Sequence, residues 1–74
     1  MLFLIADNGY DQNHVVGRLS DIVEDIDQKR AIECYEAAQR VGEAMCGKYQ
    51  HEHAEQYAEQ LTRSDPIIYA EVSS

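Results

Sequence analysis

Apolar positions follow three different rhythms along this chain. Leu2, Phe3, Leu4, Ile5 and Ala6 form an unbroken run closed by Asp7-Asn8-Gly9. A run this short, ended by a turn sequence, predicts a buried strand. From Asp11 the spacing changes. Val15, Val16, Leu19, Ile22, Val23 and Ile26 recur three and four apart, which makes one apolar stripe on a helix reaching about Glu24. Asp11 precedes that stripe, and its carboxylate can take free N–H groups of the first turn. Gly17 interrupts the helix at a cost of up to about 1 kcal/mol relative to Ala, which suggests that something packs closely there.

Asp27 is placed as a second N-cap. Ala31, Ile32, Tyr35, Ala38 and Val41 continue at helical spacing, and Gly42 ends that helix in a left-handed conformation. From Glu43 to Tyr49 the residues alternate, with Ala44, Cys46 and Lys48 on one side and Met45, Gly47 and Tyr49 on the other. This predicts a strand or extended segment. A third helix spans His51 to Arg63, with Ala54, Tyr57, Ala58 and Leu61 inward, and Ser64-Asp65-Pro66 stops it. Ile67 to Val72 is rich in β-formers and reads as a last strand. The order is β-α-α-β-α-β. It predicts one α+β domain spanning 1–74, with helices on one face of a small sheet. The order alone leaves the strand pairing open.

Composition narrows the function. At 74 residues the chain has room for a single core. A domain this small buries only about 60% of its unfolded surface, so a deep enzyme cleft is hard to build. A binding module or adaptor is expected in place of an enzyme. Six basic against fourteen acidic side chains give a net charge of -8. That charge repels phosphate, which argues against nucleic acid and anionic membranes and suits a cationic ligand or a basic protein surface. The apolar start lacks a basic flank and is too short for a signal peptide or a membrane span. The expected location is the cytoplasm, where Cys34 and Cys46 stay reduced as small core residues.

Few constellations carry chemistry. His51-Glu52-His53-Ala54-Glu55 lacks the two His at i and i+4 of a zincin, so it reads as a solvated helix face with no metal. No cofactor motif is present, and no Ser-His-Asp or Cys-His set stands out. Asp21, Glu24, Asp25 and Asp27 form an acidic cluster that reads first as a solvated face and otherwise as a surface for a basic partner. Asp7-Asn8-Gly9 with Asp11 offers several acceptor oxygens where a strand hands over to a helix. Ordinary turn and cap chemistry explains it. So does a site that holds an ammonium group through charge-assisted hydrogen bonds.

Val41-Gly42-Glu43-Ala44-Met45-Cys46-Gly47 resembles the G-x-A-x-C-G segment of the ClpS family, the adaptors of Clp AAA+ proteases. Leu2 to Tyr10 aligns with that family's apolar strand and its Asn-Asp-Asp-Tyr-type turn. Val15, Val16 and Leu19 match its first helix, and Asp27, Arg30 and Ala31 the start of its second. Glu52, Ala54 and Glu55 resemble its E-x-A-E, and Pro66-Ile67-Ile68 its P-L-L. The resemblance implies three helices on one face of a three-stranded antiparallel sheet, and a monomer. It also implies binding of N-degron proteins, meaning those with a free α-amino group and a large hydrophobic first residue, and their delivery to a Clp AAA+ chaperone through its N-domain.

Carried onto this chain, the amine site falls on Asp7 and Asn8, in reversed order relative to the family. Asp11 stands in place of the usual Thr, and Gln39 in place of the amine-binding His. The hydrophobic pocket falls on Asn13, Val16, Tyr35, Ala38 and Ile67. Asn13 makes its mouth more polar and Tyr35 narrows it, each standing where Met is usual. Clp docking falls on Glu52 and on Tyr57, the latter replacing a basic residue. The family's flexible N-terminal extension is missing ahead of the first strand. This gives the alternative implication of a decoy or inhibitor that binds the Clp N-domain or the degron without delivering it.

Overall fold

The computed structural model describes residues 1–73. The first apolar run forms β1 (Leu2–Ile5), and Leu2 and Leu4 are fully buried while Phe3 and Ile5, which alternate with them, are half-buried. Asp11 caps α1 (Gln12–Ile22), accepting the Asn13 N–H at 3.1 Å. Asp27 caps α2 (Gln28–Val41), accepting the Arg30 N–H at 2.8 Å. Gly42 closes α2 with φ 109°, and its N–H donates to the Ala38 carbonyl at 2.7 Å. Only glycine adopts that backbone without strain. There follow β2 (Glu43–Gly47), α3 (His51–Thr62) and β3 (Ala70–Val72). Among the described residues no helix is long and apolar enough to cross a membrane.

The sheet order is β2-β1-β3, and both pairs are antiparallel. Phe3 lies opposite Met45 on one side and Glu71 on the other. The register slips between Leu2 and Phe3, and Cys46 faces inward with Leu2 and Leu4. The helices cover that inward face. Val15, Leu19 and Val23 are fully buried from the α1 side, Ala31 and Ala38 from α2, and Leu61 from α3. At about 25 cal/mol per Å2 of apolar surface removed from water, this shared core is the main force holding the layers together.

The Gly-x-Ala-x-Cys-Gly run now has a physical reading. Gly42 supplies the left-handed cap, and Cys46 fills the core. Gly47 leaves room for Tyr49, since a Cβ there would meet the Tyr49 hydroxyl at 2.5 Å.

Three expectations need correction. The first helix stops at Ile22, short of Glu24, because Val23 turns extended. That lets Val23 and Ile26, 0% and 4% exposed, both reach the core. The last strand is shorter than expected and begins at Ala70, with the Ile5 N–H donating to the Tyr69 carbonyl at 2.9 Å just ahead of it. Before it, the Ile68 N–H donates to the Leu61 carbonyl at 3.2 Å, tying this stretch to the end of α3. Nothing packs closely on Gly17, where an added Cβ meets no atom within 4 Å. Gly17→Ala is therefore expected to stabilise the fold by about 0.5–1 kcal/mol, through helix propensity alone. The urea midpoint would rise with an unchanged slope.

Candidate functional site

The turn after β1 is held at each end by a different element. On one side the Ala6 N–H donates to the Gly42 carbonyl at 2.9 Å. Gln39, three residues earlier on α2, places its side-chain amide against the Asp7 backbone. Gln39 Oε1 accepts the Asp7 N–H at 3.2 Å, and Gln39 Nε2 donates to the Asp7 carbonyl at 3.1 Å. Within the turn, Asp7 Oδ2 accepts the Gly9 N–H at 2.9 Å, an Asx turn. On the other side, the Tyr10 hydroxyl donates to the Ile5 carbonyl at 2.7 Å and accepts the Tyr69 N–H at 2.8 Å. Asp7, Asn8 and Asp11 are exposed, and among the described residues neither carboxylate forms an ion pair.

Aromatic rings adjoin this anionic turn. The Tyr10 ring lies 6.5 Å from that of Tyr35 on α2 and 6.5 Å from that of Tyr69 ahead of β3. Burial pushes the Tyr10 hydroxyl above its ordinary range, opposed by the N–H that Tyr69 donates to it. Sequence reasoning left Tyr10 and Tyr69 out of the site. The available signal was an aromatic directly after the turn and off the helical stripe. His14 Nε2 donates to the Pro66 carbonyl at 2.8 Å, and Arg18 Nε donates to Ser64 Oγ at 3.1 Å. These two bonds moor α1 to the segment that carries Ile67.

The residues predicted for a hydrophobic pocket divide into two groups. Val16 and Ala38, 6% and 0% exposed, belong to the core between the helices. Tyr35 is half-buried, Asn13 is exposed, and Ile67 is 42% exposed. Two surface hollows lie elsewhere. One of about 610 Å3 is lined by Asp27, Gln28, Lys29, Ile32 and Glu33, and one of about 420 Å3 by Met1, Tyr49, His51 and Ser73. None of the predicted substrate-binding residues lines either.

On α3, Glu52 is exposed in the first turn. Tyr57 follows five residues later, about 140° around the helix. Its ring packs edge-on against Tyr49, with centroids 5.2 Å apart. The Tyr49 hydroxyl in turn donates to Asp25 at 2.7 Å, and burial together with that carboxylate pushes the hydroxyl up. The structure thus ties Tyr57 into a short network and leaves Glu52 apart from it. His51 and Glu55 pair on the solvated face at 2.6 Å. Among the described residues no group of three or more His, Cys, Asp or Glu is placed to hold a metal ion.

Both cysteines are free and buried, Cys34 on α2 and Cys46 on β2. The neighbouring Cys46 thiol draws the Cys34 thiol down, against the cost of burial and with help from Arg30. The Cys34 thiol and burial in turn push the Cys46 thiol up. Arg30 also donates to the Met45 and Cys46 carbonyls at 3.1 and 3.4 Å, which occupies acceptors along the free edge of β2.

Searches among curated proteins and among solved structures each gave no match. The family model described as ATP-dependent Clp protease adaptor protein ClpS matches residues 1–67. That span holds β1 through α3, the Asp7 turn and the Gln39 that clamps it. Over nine-tenths of its length, the chain belongs to the ClpS family of Clp protease adaptors.

Proposed function

We propose that this protein is an adaptor for N-degrons. It binds the free α-amino group and the large hydrophobic first residue of a protein, and hands that protein to the N-domain of a Clp AAA+ unfoldase. It works by binding and not by catalysis, as a monomer in the cytoplasm. The observation that carries this reading is an anionic turn set against an aromatic floor. Asp7 and Asp11 expose unpaired carboxylates, and Tyr10, between them in sequence, is within ring contact of Tyr35 and Tyr69. An ammonium needs the first feature and an apolar side chain the second. Asn8 supplies a neutral acceptor beside Asp7, and Asn13 and Ile67 are the exposed candidates at the rim. Val16 and Ala38 support the floor from below. Glu52 supplies a free carboxylate on α3 for a basic Clp surface, and Tyr57 offers an aromatic ring on a different face of the same helix.

Adding the protein to a reconstituted Clp protease with a Phe-initiated reporter tests delivery. Degradation is expected to speed up and to depend on the first residue. Slower degradation would instead identify a decoy that occupies the Clp N-domain or the degron.

A further inference from the structure

We propose that Gln39 is the positioning residue of the amine site and not one of its ligands. This rests on the amine-binding reading above. Only Asn and Gln carry a donor and an acceptor side by side on a neutral side chain. Gln39 uses that pair on one peptide group after another, accepting the Asp7 N–H at 3.2 Å and donating to the Asp7 carbonyl at 3.1 Å. The contact imitates a short piece of strand pairing, placed where β1 has run out of partners. It spans 32 residues of chain.

Its base is rigid. Ala38 beside it is fully buried, and the Ala38 carbonyl receives the Gly42 cap. Its target is the residue whose carboxylate matters. Asp7 Oδ2 is held by the Gly9 N–H, so a fixed Asp7 backbone also fixes where Oδ1 points. Oδ1 has no partner among the described residues. The amide of Gln39 therefore acts on an incoming ammonium through Asp7. Its Nε2 is a donor and cannot receive one, and its Oε1 is already turned to the Asp7 N–H, so an ammonium would have to share that oxygen.

The two possible roles predict opposite signs for one substitution. Gln39→Glu keeps an acceptor for the Asp7 N–H, loses the donor to the Asp7 carbonyl, and sets a carboxylate against that carbonyl. A positioning role makes Gln39→Glu bind a Phe-initiated peptide more weakly, by roughly threefold to tenfold. A ligand role makes it bind more tightly, since an added negative charge faces the ammonium.

Gln39→Met, close in size and without either bond, supplies a readout that needs no peptide. Hydrogen exchange of the Asp7 and Gly9 amides in the free protein is expected to speed up by at least about threefold, with the α2 interior unchanged. Weaker binding of Gln39→Glu together with faster exchange in Gln39→Met supports the proposal. Tighter binding of Gln39→Glu, or unchanged exchange in Gln39→Met, overturns it. If the unaltered protein binds no such peptide, the amine-site reading falls, and the exchange measurement still decides whether Gln39 holds the turn.

Discussion

Leu4→Ala is expected to remove a large part of the folding stability and to lower the urea midpoint sharply. Leu4 is fully buried at the middle of the central strand, opposite Ala44 on β2 and Ala70 on β3. Both neighbours are small, so neither can fill the space left behind. Removing a buried Leu side chain costs about 2–5 kcal/mol, and the upper part of that range applies where the site cannot collapse. A domain of this length holds only about 4–11 kcal/mol in total. Helices α2 and α3 both rest on β1, so the loss is felt by the whole fold and not by one edge. Urea unfolding followed by circular dichroism would read the effect directly. Met45→Ala serves as the internal comparison. Met45 lies on the opposite face of the same sheet, 38% exposed, and its truncation is expected to cost about 1 kcal/mol or less. Equal losses for the two variants would mean that the inward face of β1 is misassigned.

The unbroken apolar run of Leu2 to Ala6 hides which face of β1 turns inward, but all six elements and their order were legible in the sequence. The reasons are local. Caps at Asp11 and Asp27 and the glycine at 42 act within one turn of the residues that show them. Stripes such as Val15, Leu19 and Ile22 declare their face by spacing. What the sequence hid depends on partners far along the chain. Ile67, Ile68 and Tyr69 are good strand formers, yet Ile68 bonds back to Leu61, and pairing with β1 begins in earnest at Ala70. Propensity records what a residue tolerates and not which strand lies within reach.

The candidate site divides along the same line. The exposed Asp7-Asn8-Gly9 turn was visible as a cluster of acceptors. The Gln39 clamp across 32 residues and the Tyr10 bridge across 59 have no period and no spacing rule, so nothing in the string announces them. Val16 and Ala38 were assigned to a pocket through resemblance. Their burial also follows from the stripes they belong to, and that pattern reads them as core.

Acetylating the first residue of a Phe-initiated peptide is expected to abolish its binding, and Asp7→Asn is expected to reproduce most of that loss from the protein side. A free α-amino group has a pKa of about 7.7–8.0, so it is charged at neutral pH. Its charge-assisted hydrogen bonds to a carboxylate are worth roughly 1.5–3 kcal/mol. Burying a Leu or Phe side chain adds a comparable amount, roughly 1.5–3 kcal/mol. Ordering costs on association are several kcal/mol. Together the two give about 3–6 kcal/mol before that cost, short of the roughly 8 kcal/mol of a micromolar complex, so the affinity is weak and needs both. With one removed, it falls by roughly 10- to 150-fold and leaves the measurable window. Asp7→Asn keeps the shape of the turn, because an Asn side-chain oxygen can still accept the Gly9 N–H that Oδ2 now takes at 2.9 Å. It therefore removes charge with little loss of fold.

Asp11 is less suitable for this test, since its carboxylate also caps α1, and loss of the cap would mix stability with binding. The pH dependence has a definite sign. The bound ammonium is favoured by the carboxylate, so its pKa rises on binding. Affinity is full below about pH 7.7 and falls as pH climbs through and above the free amine's range. Fluorescence anisotropy of the peptide and its acetylated twin, at pH 7 and at pH 9.5, separates the contributions. Equal binding of the two peptides at pH 7 would remove the amine from the recognition and leave the Asp7 turn as structure alone.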